Sequence, residues 1–212
     1  MINNLLTTAS ILLLIFPSVA TSNAKEEGKE KPLSSEEMAK LLELTKPGPE
    51  HELLKEFSGN WTVSISGGRG GKAAASTGGG RSYMTLEGRF LWIGYGAKGR
   101  SGNYKGSFQI GFDRRHGRFD LIAMDNFGTY FVTSHGKMDA ETKKAKLYGE
   151  DDDPYMKAMG LDKEFIHELD FSNPDKFTIT VYFIDTRTPE RKEEKAMVFS
   201  FERKADKEAE KE

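Results

Sequence analysis

Apolar residues recur at every second position through most of this chain, and that period limits what it can fold into more than any other feature. Trp61-Val63-Ile65, Phe108-Ile110-Phe112, Phe119-Leu121-Ala123 and Phe165-His167-Leu169-Phe171 all alternate. Phe177-Ile179-Val181-Phe183 and Met197-Phe199-Phe201 do the same. Side chains of a strand point to opposite faces in turn, so such segments bury one face of a sheet. Between them lie turn signals: Arg114-Arg115-His116-Gly117, Ala140-Glu141-Thr142-Lys143 and Asn173-Pro174-Asp175. The pattern gives about ten strands, starting near residues 60, 81, 89, 103, 118, 128, 145, 163, 176 and 195. No helix-length periodic segment separates them, which excludes parallel crossovers. Consecutive hairpins remove their exposed edges most simply by closing, so the expected fold is all-β, an antiparallel up-and-down barrel.

Aromatics mark the extent of this domain. Of 14 Phe, 2 Trp and 7 Tyr, all but Phe16 lie between Phe57 and Phe201. Ahead of them, Ser34 and Glu37 form a capping-box pattern, and Met38, Leu41, Leu42 and Thr45 share one helical face. Pro47-Gly48-Pro49 ends that helix and starts a shorter one over Glu50–Glu56, with Leu53, Leu54 and Phe57 turned to the core as a helical plug. The organisation read here is a signal peptide at 1–24, a charged linker and amphipathic helix at 25–48, the barrel at 49–204, and a charged tail at 205–212.

The signal rests on Leu5–Phe16, an apolar run broken by Pro17 and followed by Ser18-Val19-Ala20 and Ser22-Asn23-Ala24, whose small residues suit a signal peptidase. The run is shorter than the ~20 residues that span a bilayer. Met1–Asn4 holds no Lys or Arg, so an uncleaved anchor is the competing reading, and cleavage after Ala20 or after Ala24 both stay open. The expected destination is secreted or periplasmic, without stable membrane insertion after cleavage.

Composition removes further classes. With no cysteine there is no disulfide framework, thiolate nucleophile, iron–sulfur cluster or Cys-based zinc site. A formal charge of -2 lacks the basic footprint of a nucleic-acid binder. The glycine run from Gly67 to Gly80 is not a phosphate loop: Ser66 and Ala73 stand where that motif needs Gly and Ser/Thr. It reads as a flexible loop between the first two strands, a lid over the barrel mouth. Glu150-Asp151-Asp152-Asp153 lacks the ligand spacing of a calcium loop and reads as solvated charge. Asn60-Trp61-Thr62 matches a glycosylation sequon at the barrel entry, where modification is not expected. No nucleophile-elbow or dinucleotide fingerprint is present, and no His/carboxylate spacing supports a metal.

Gly59-Asn60-Trp61, entered from a short helix and leading into the first strand, resembles the G-x-W entry of lipocalin-like (calycin) barrels. In that fold the Trp crosses the closed end and an Arg of the last strand lies on its indole. The resemblance gives Gly59, Trp61 and Arg203 structural roles. It extends to a mainly bacterial domain-of-unknown-function family, number fifteen seventy-nine. The matching stretches are Pro49-Glu50-His51 with Leu54 and Gly59-Asn60-Trp61, then Glu87-Gly88-Arg89-Phe90, Gly106–Asp113, Met124–Thr129 and Phe201–Lys204, together roughly residues 49–204. Glu87 stands where that family often has a second Gly, and Phe112 where it often has Tyr. The resemblance implies a calycin-like barrel and frequent export, with no agreed activity.

The expected function is therefore binding of a small apolar or amphipathic ligand inside the barrel. Its expected wall is Arg89, Trp92, Tyr95, Phe108, Phe119, Tyr130, His135, His167 and Tyr182, with Arg89 or His167 orienting a carboxylate or carbonyl. His116 reads as solvated and His51 as a cap or packing residue beneath the barrel. No cofactor is expected, and heme on an inward His is disfavoured. Two alternatives remain: a hydrolase or isomerase using His167 or His135 as base beside Asp125, and an envelope protein whose barrel is filled. A binder is favoured over an enzyme.

Overall fold

In the computed structural model, which describes residues 33–67, 76–99, 102–158, 163–186 and 189–205, the alternating segments form one antiparallel sheet. Its strands are β1 (Gly59–Gly67), β2 (Ser76–Thr85), β3 (Phe90–Gly99), β4 (Gly102–Asp113), β5 (Arg118–Asp125) and β6 (Phe131–Gly136). They continue as β7 (Met138–Asp139), β8 (Lys144–Asp151), β9 (Lys163–Asp170), β10 (Lys176–Ile184) and β11 (Glu193–Arg203). Each long strand pairs with its sequence neighbour. β11 returns to β1 from Trp61↔Arg203 to Gly67↔Met197, and β6 meets β8 at His135↔Tyr148. Those two contacts close ten strands into a barrel; β7 is a two-residue step attached to β8.

Among the described residues three helices accompany the strands: α1 (Ser35–Glu43), α2 (Pro49–Lys55) and α3 (Pro154–Ala158). The capping box forms as the sequence indicates, with the Glu37 N–H donating to Ser34 Oγ at 3.2 Å and the Ser34 N–H to Glu37 at 2.7 Å. The apolar face of α1 does not reach the barrel: Met38, Leu41 and Leu42 remain exposed, and Arg114 holds only the helix end, through the carbonyls of Glu43 and Lys46. The plug is α2. His51 caps it by accepting the Gly48 N–H on Nδ1 at 3.0 Å, and Leu54 with Phe57 seal the end of the barrel. α3 is a single turn between β8 and β9, without apolar periodicity to announce it.

The closed end is packed around Trp61. Its indole stands edge-on to Phe177 at 4.8 Å, Phe177 stacks on Phe201 at 4.4 Å, and Phe57 stacks on Phe171 at 4.3 Å. Fully burying each such side chain contributes ~1.5–3 kcal/mol. A buried indole N–H must find an acceptor. Trp61 Nε1 donates to Ser82 Oγ at 2.7 Å, and that hydroxyl donates to the Phe57 carbonyl, which ties β1, β2 and the end of the plug together. Arg203 lies over the indole, 4.5 Å from its centre. The same guanidinium donates to the carbonyls of Ser58, Glu56 and Pro174 and to the Asp175 carboxylate, at 2.7–2.9 Å. Gly59 passes so close beneath that a Cβ there would collide with Arg203 Nη1.

Two expectations about the strands need correction. The second strand begins at Ser76, so Gly78, Gly79 and Gly80 belong to β2 and not to a loop. Gly78 faces a point where β2 and β3 approach closely, and a Cβ there would sit 2.7 Å from the Ala97 Cα. The sixth strand begins at Phe131, after a turn over residues 126–130. The proposed lid from Gly67 lies mostly in residues 68–75, outside the described residues, as do the signal segment and most of the charged tail. Glu87, where the related family often has Gly, adopts φ 57, a backbone region that costs a residue with a side chain ~1 kcal/mol.

Because Arg203 joins four backbone or carboxylate acceptors to the Trp61 face, lysine cannot replace it. Arg203→Lys is expected to lower unfolding free energy by about 2–4 kcal/mol in urea titration, with little change in the β-sheet circular dichroism of the folded protein.

Candidate functional site

Above the Trp61 layer the barrel is not filled. A cavity of about 740 Å³ opens at the end opposite α2. Each strand enters it by the same alternation that builds the core below. On β9, Phe171 and Leu169 lie in the core, His167 and Phe165 line the cavity, and Lys163 stands at its mouth. On β3 Tyr95 follows Ile93, on β4 Phe108 follows Ile110, and on β11 Phe199 follows Phe201.

Tyr95, Phe108, His167 and Phe199 form the floor. Tyr95 stacks on Phe108 at 5.4 Å, and both rings meet Phe199 at 5.1 Å. His167 stands edge-on to Phe108 and Phe165, at 6.3 and 5.2 Å. The walls around and above them include Tyr104, Ala123, Val132, Val181 and Met197. The rim carries Asp125, Tyr130, Asp151, Lys163, Phe183 and Glu194. Lys163 pairs with Asp151 at 2.6 Å; burial opposes its charge, but that carboxylate outweighs it and holds the ammonium above the usual lysine range.

His167 is buried to 2% exposure, and its Nδ1 meets Ser134 Oγ at 2.9 Å. Burial among rings disfavours the imidazolium and pushes its pKa down to about 4, so the ring is neutral at pH 7. Burial also raises the Tyr95 phenol, helped by the Asp125 charge, so its hydroxyl stays protonated. That hydroxyl lies directly over Gly106, where any side chain would displace it.

Of the residues expected in the wall, the structure brings together Tyr95, Phe108, Tyr130 and His167. The other five lie elsewhere. Trp92 alternates with the buried Leu91 and Ile93, so it sits on the outer face against Tyr83 at 5.1 Å. Tyr182 is outward by the same parity, with its hydroxyl on Glu168 at 3.3 Å and Lys195 over its ring. His135 is exposed because its neighbour Ser134 takes the inward position on β6. Phe119 is inward but packs low, against Phe112 at 5.0 Å. Arg89 is held in the β2–β3 turn at the closed end by Glu87 and the Leu86 carbonyl.

Lys163 is a lining residue outside the expected wall, although it has the parity of Phe165 and His167. Asp151 is not simply solvated, since it carries the Lys163 ion pair. His116 is not merely solvated either: with Arg115 it holds Asp113, whose carboxyl lies well below its ordinary range, chiefly through the Arg115 hydrogen bond. Among the described residues no group of three or more His, Asp or Glu is placed to hold a metal ion. None of the described helices is long and apolar enough to cross a membrane.

Comparison with known proteins adds a family. Residues 46–203 match the model described as "Protein of unknown function (DUF1579)". No curated protein matches. Among solved structures, the chain is similar to Rv2717c from M. tuberculosis, at 12% identity and a TM-score of 0.47, covering 76% of this chain and 100% of that one. It is also similar to a de novo designed fluorescence-activating β-barrel, at 9% identity and a TM-score of 0.36, covering 71% of this chain and 96% of that one.

The buried imidazole gives a pH signature. The unfolded chain protonates this histidine near 6.5 and the folded one only near 4. Between those values the unfolded state holds more protons, so stability falls as pH drops from about 6.5 to about 4, and this contribution levels off below. The loss due to this one residue is on the order of 3 kcal/mol. Chemical denaturation at successive pH values should show it, and His167→Leu should flatten the slope within that window.

Proposed function

The chain belongs to the DUF1579 family, whose description assigns no activity, and from its cavity we propose that it binds a small apolar or amphipathic molecule inside the barrel. The single observation that carries this reading is about 740 Å³ of space walled mainly by rings and aliphatic side chains. Pockets that enclose drug-sized ligands run from ~300 to 1,000 Å³ and are predominantly apolar with few polar groups. An interior meant only to be filled would close such a space, because unfilled apolar volume destabilises a core.

The chemistry around His167 favours binding over hydrolysis. A general base needs the reacting proton in reach and a group that orients it. The partner of His167 is Ser134, which is buried and does not line the cavity, so that hydroxyl has no access to a substrate there. No hydrogen bond or ion pair joins His167 to Asp125, which instead accepts the Phe127 N–H at 2.9 Å.

Export completes the proposal: the apolar N-terminal run and its small-residue sites support a mature protein that meets its ligand outside the cytoplasm. The intact mass of protein recovered from the producing cell should correspond to a chain starting at Thr21 or Lys25; a mass that includes Met1–Ala20 would overturn export by cleavage.

Native mass spectrometry after exposure to a total lipid extract should show one retained small molecule per chain. Ala123→Trp adds a bulky ring to the cavity wall while leaving the Trp61 layer untouched. It is expected to weaken retention at least about tenfold and to change stability by no more than about 1–3 kcal/mol. No retained mass under any lipid condition would defeat the binding reading.

A further inference from the structure

The polar groups of the cavity are sorted by depth. Two neutral ones lie on the floor: the Tyr95 hydroxyl and the His167 imidazole. Nδ1 of His167 is taken by Ser134, which leaves Nε2 without a hydrogen-bond partner among the described residues. The Tyr95 hydroxyl likewise has none. Both side chains pack against Phe108 and line the same cavity. The Ser134 contact accounts for Nδ1 of His167 but not for Nε2, and no described protein group pairs with the Tyr95 hydroxyl, so both stay available to a ligand on the cavity side.

Charge is confined to the rim. No arginine lines the cavity among the described residues. Lys163 is engaged by Asp151, and Lys195, which also lines the mouth, reaches over the Tyr182 ring, 5.7 Å from its centre. Asp125 and Glu194 share the rim with them. A carboxylate inserted head-first would be an unpaired charge among rings, which is strongly unfavourable. Left at the mouth instead, it would face Asp125 and Glu194.

Resting on the cavity-binding reading above, we infer that the ligand is a neutral, ring-bearing molecule with a carbonyl or hydroxyl oxygen, and that it enters oxygen-first to hydrogen-bond His167 and Tyr95. The ring floor supplies faces and edges for a flat skeleton. The Ser134 hydroxyl can donate to or accept from Nδ1, so Nε2 is available as donor or acceptor and suits either oxygen type. His167 stays neutral in this environment, which is consistent with a hydrogen bond and not an ion pair to the ligand. Fatty-acid-like anions are the class this arrangement rejects.

Three fluorescent probes of one shape test it: acetylpyrene, pyrenecarboxylate and ethylpyrene, titrated at pH 7.5 into the full-length protein. The ketone should bind at least about tenfold tighter than the carboxylate and about fivefold or more tighter than the hydrocarbon. His167→Leu and Tyr95→Phe should each remove most of the ketone's advantage while changing ethylpyrene binding less than about twofold. Tyr95→Phe deletes one hydroxyl and keeps the ring floor, so it carries the test if His167→Leu does not fold. Carboxylate binding as tight as the ketone overturns the inference, and so do variants that weaken all three probes equally; in either case the cavity-binding reading survives. If none of the three binds, that reading fails as well.

Discussion

The stacking of Arg203 on Trp61 is the contact on which the rest of the barrel depends. Residues at opposite ends of the sheet's path meet there, since Trp61 opens β1 and Arg203 ends β11, and their register pair seals the seam. The guanidinium also gathers carbonyls from the chain leading into β1 and from the β9–β10 turn. A planar cation with five donors can satisfy those acceptors and an aromatic face together. With one end closed by this cluster and by α2, the strands can diverge above it without filling the interior, which is how a stable core and an open cavity coexist in one small domain.

Aromatic residues do three jobs in this molecule, and their height along the strand decides which. Phe57, Trp61, Phe171, Phe177 and Phe201 are the sealed core. One inward step higher, Tyr95, Phe108 and Phe199 become a floor, with His167 among them. On the outer surface Tyr83 and Trp92 pair across strands and Tyr182 lies under lysines, where rings shield the sheet without joining either interior layer. The binding and ring-oxygen proposals both rest on the middle layer, where the His167 imidazole and the Tyr95 phenol line open space.

Much of this was legible from residue order. Alternation located the strands, the turn residues located the hairpins, and Gly59-Asn60-Trp61 with Arg203 marked the sealed end. The phase of each strand could also have been read: Trp92 lies between Leu91 and Ile93, and a strand cannot turn adjacent residues to one face. Parity likewise sets Tyr182 apart from the inward Val181, and His135 shares the outward parity of Phe131 and Thr133 on β6. Other features had no local signal. The shift of register between Val181 and Tyr182 sets Lys195 opposite Tyr182 and is a property of the paired strands. The exposed face of α1 has the periodicity of a buried helix, and only its position shows that none of the described residues covers it.

The sequence by itself therefore determined an antiparallel barrel, its plugged end and the identity of the clamp. These follow from side-chain period, turn chemistry and one spaced motif, all of which act over short range or through a single pair. The tertiary structure alone decided that a cavity exists, how deep each ring lies in it, and that His167 meets Ser134 while Arg89 stays at the far end. Those facts depend on how ten strands coil around a common axis. A cavity is the volume their side chains leave unfilled, and no single strand encodes it.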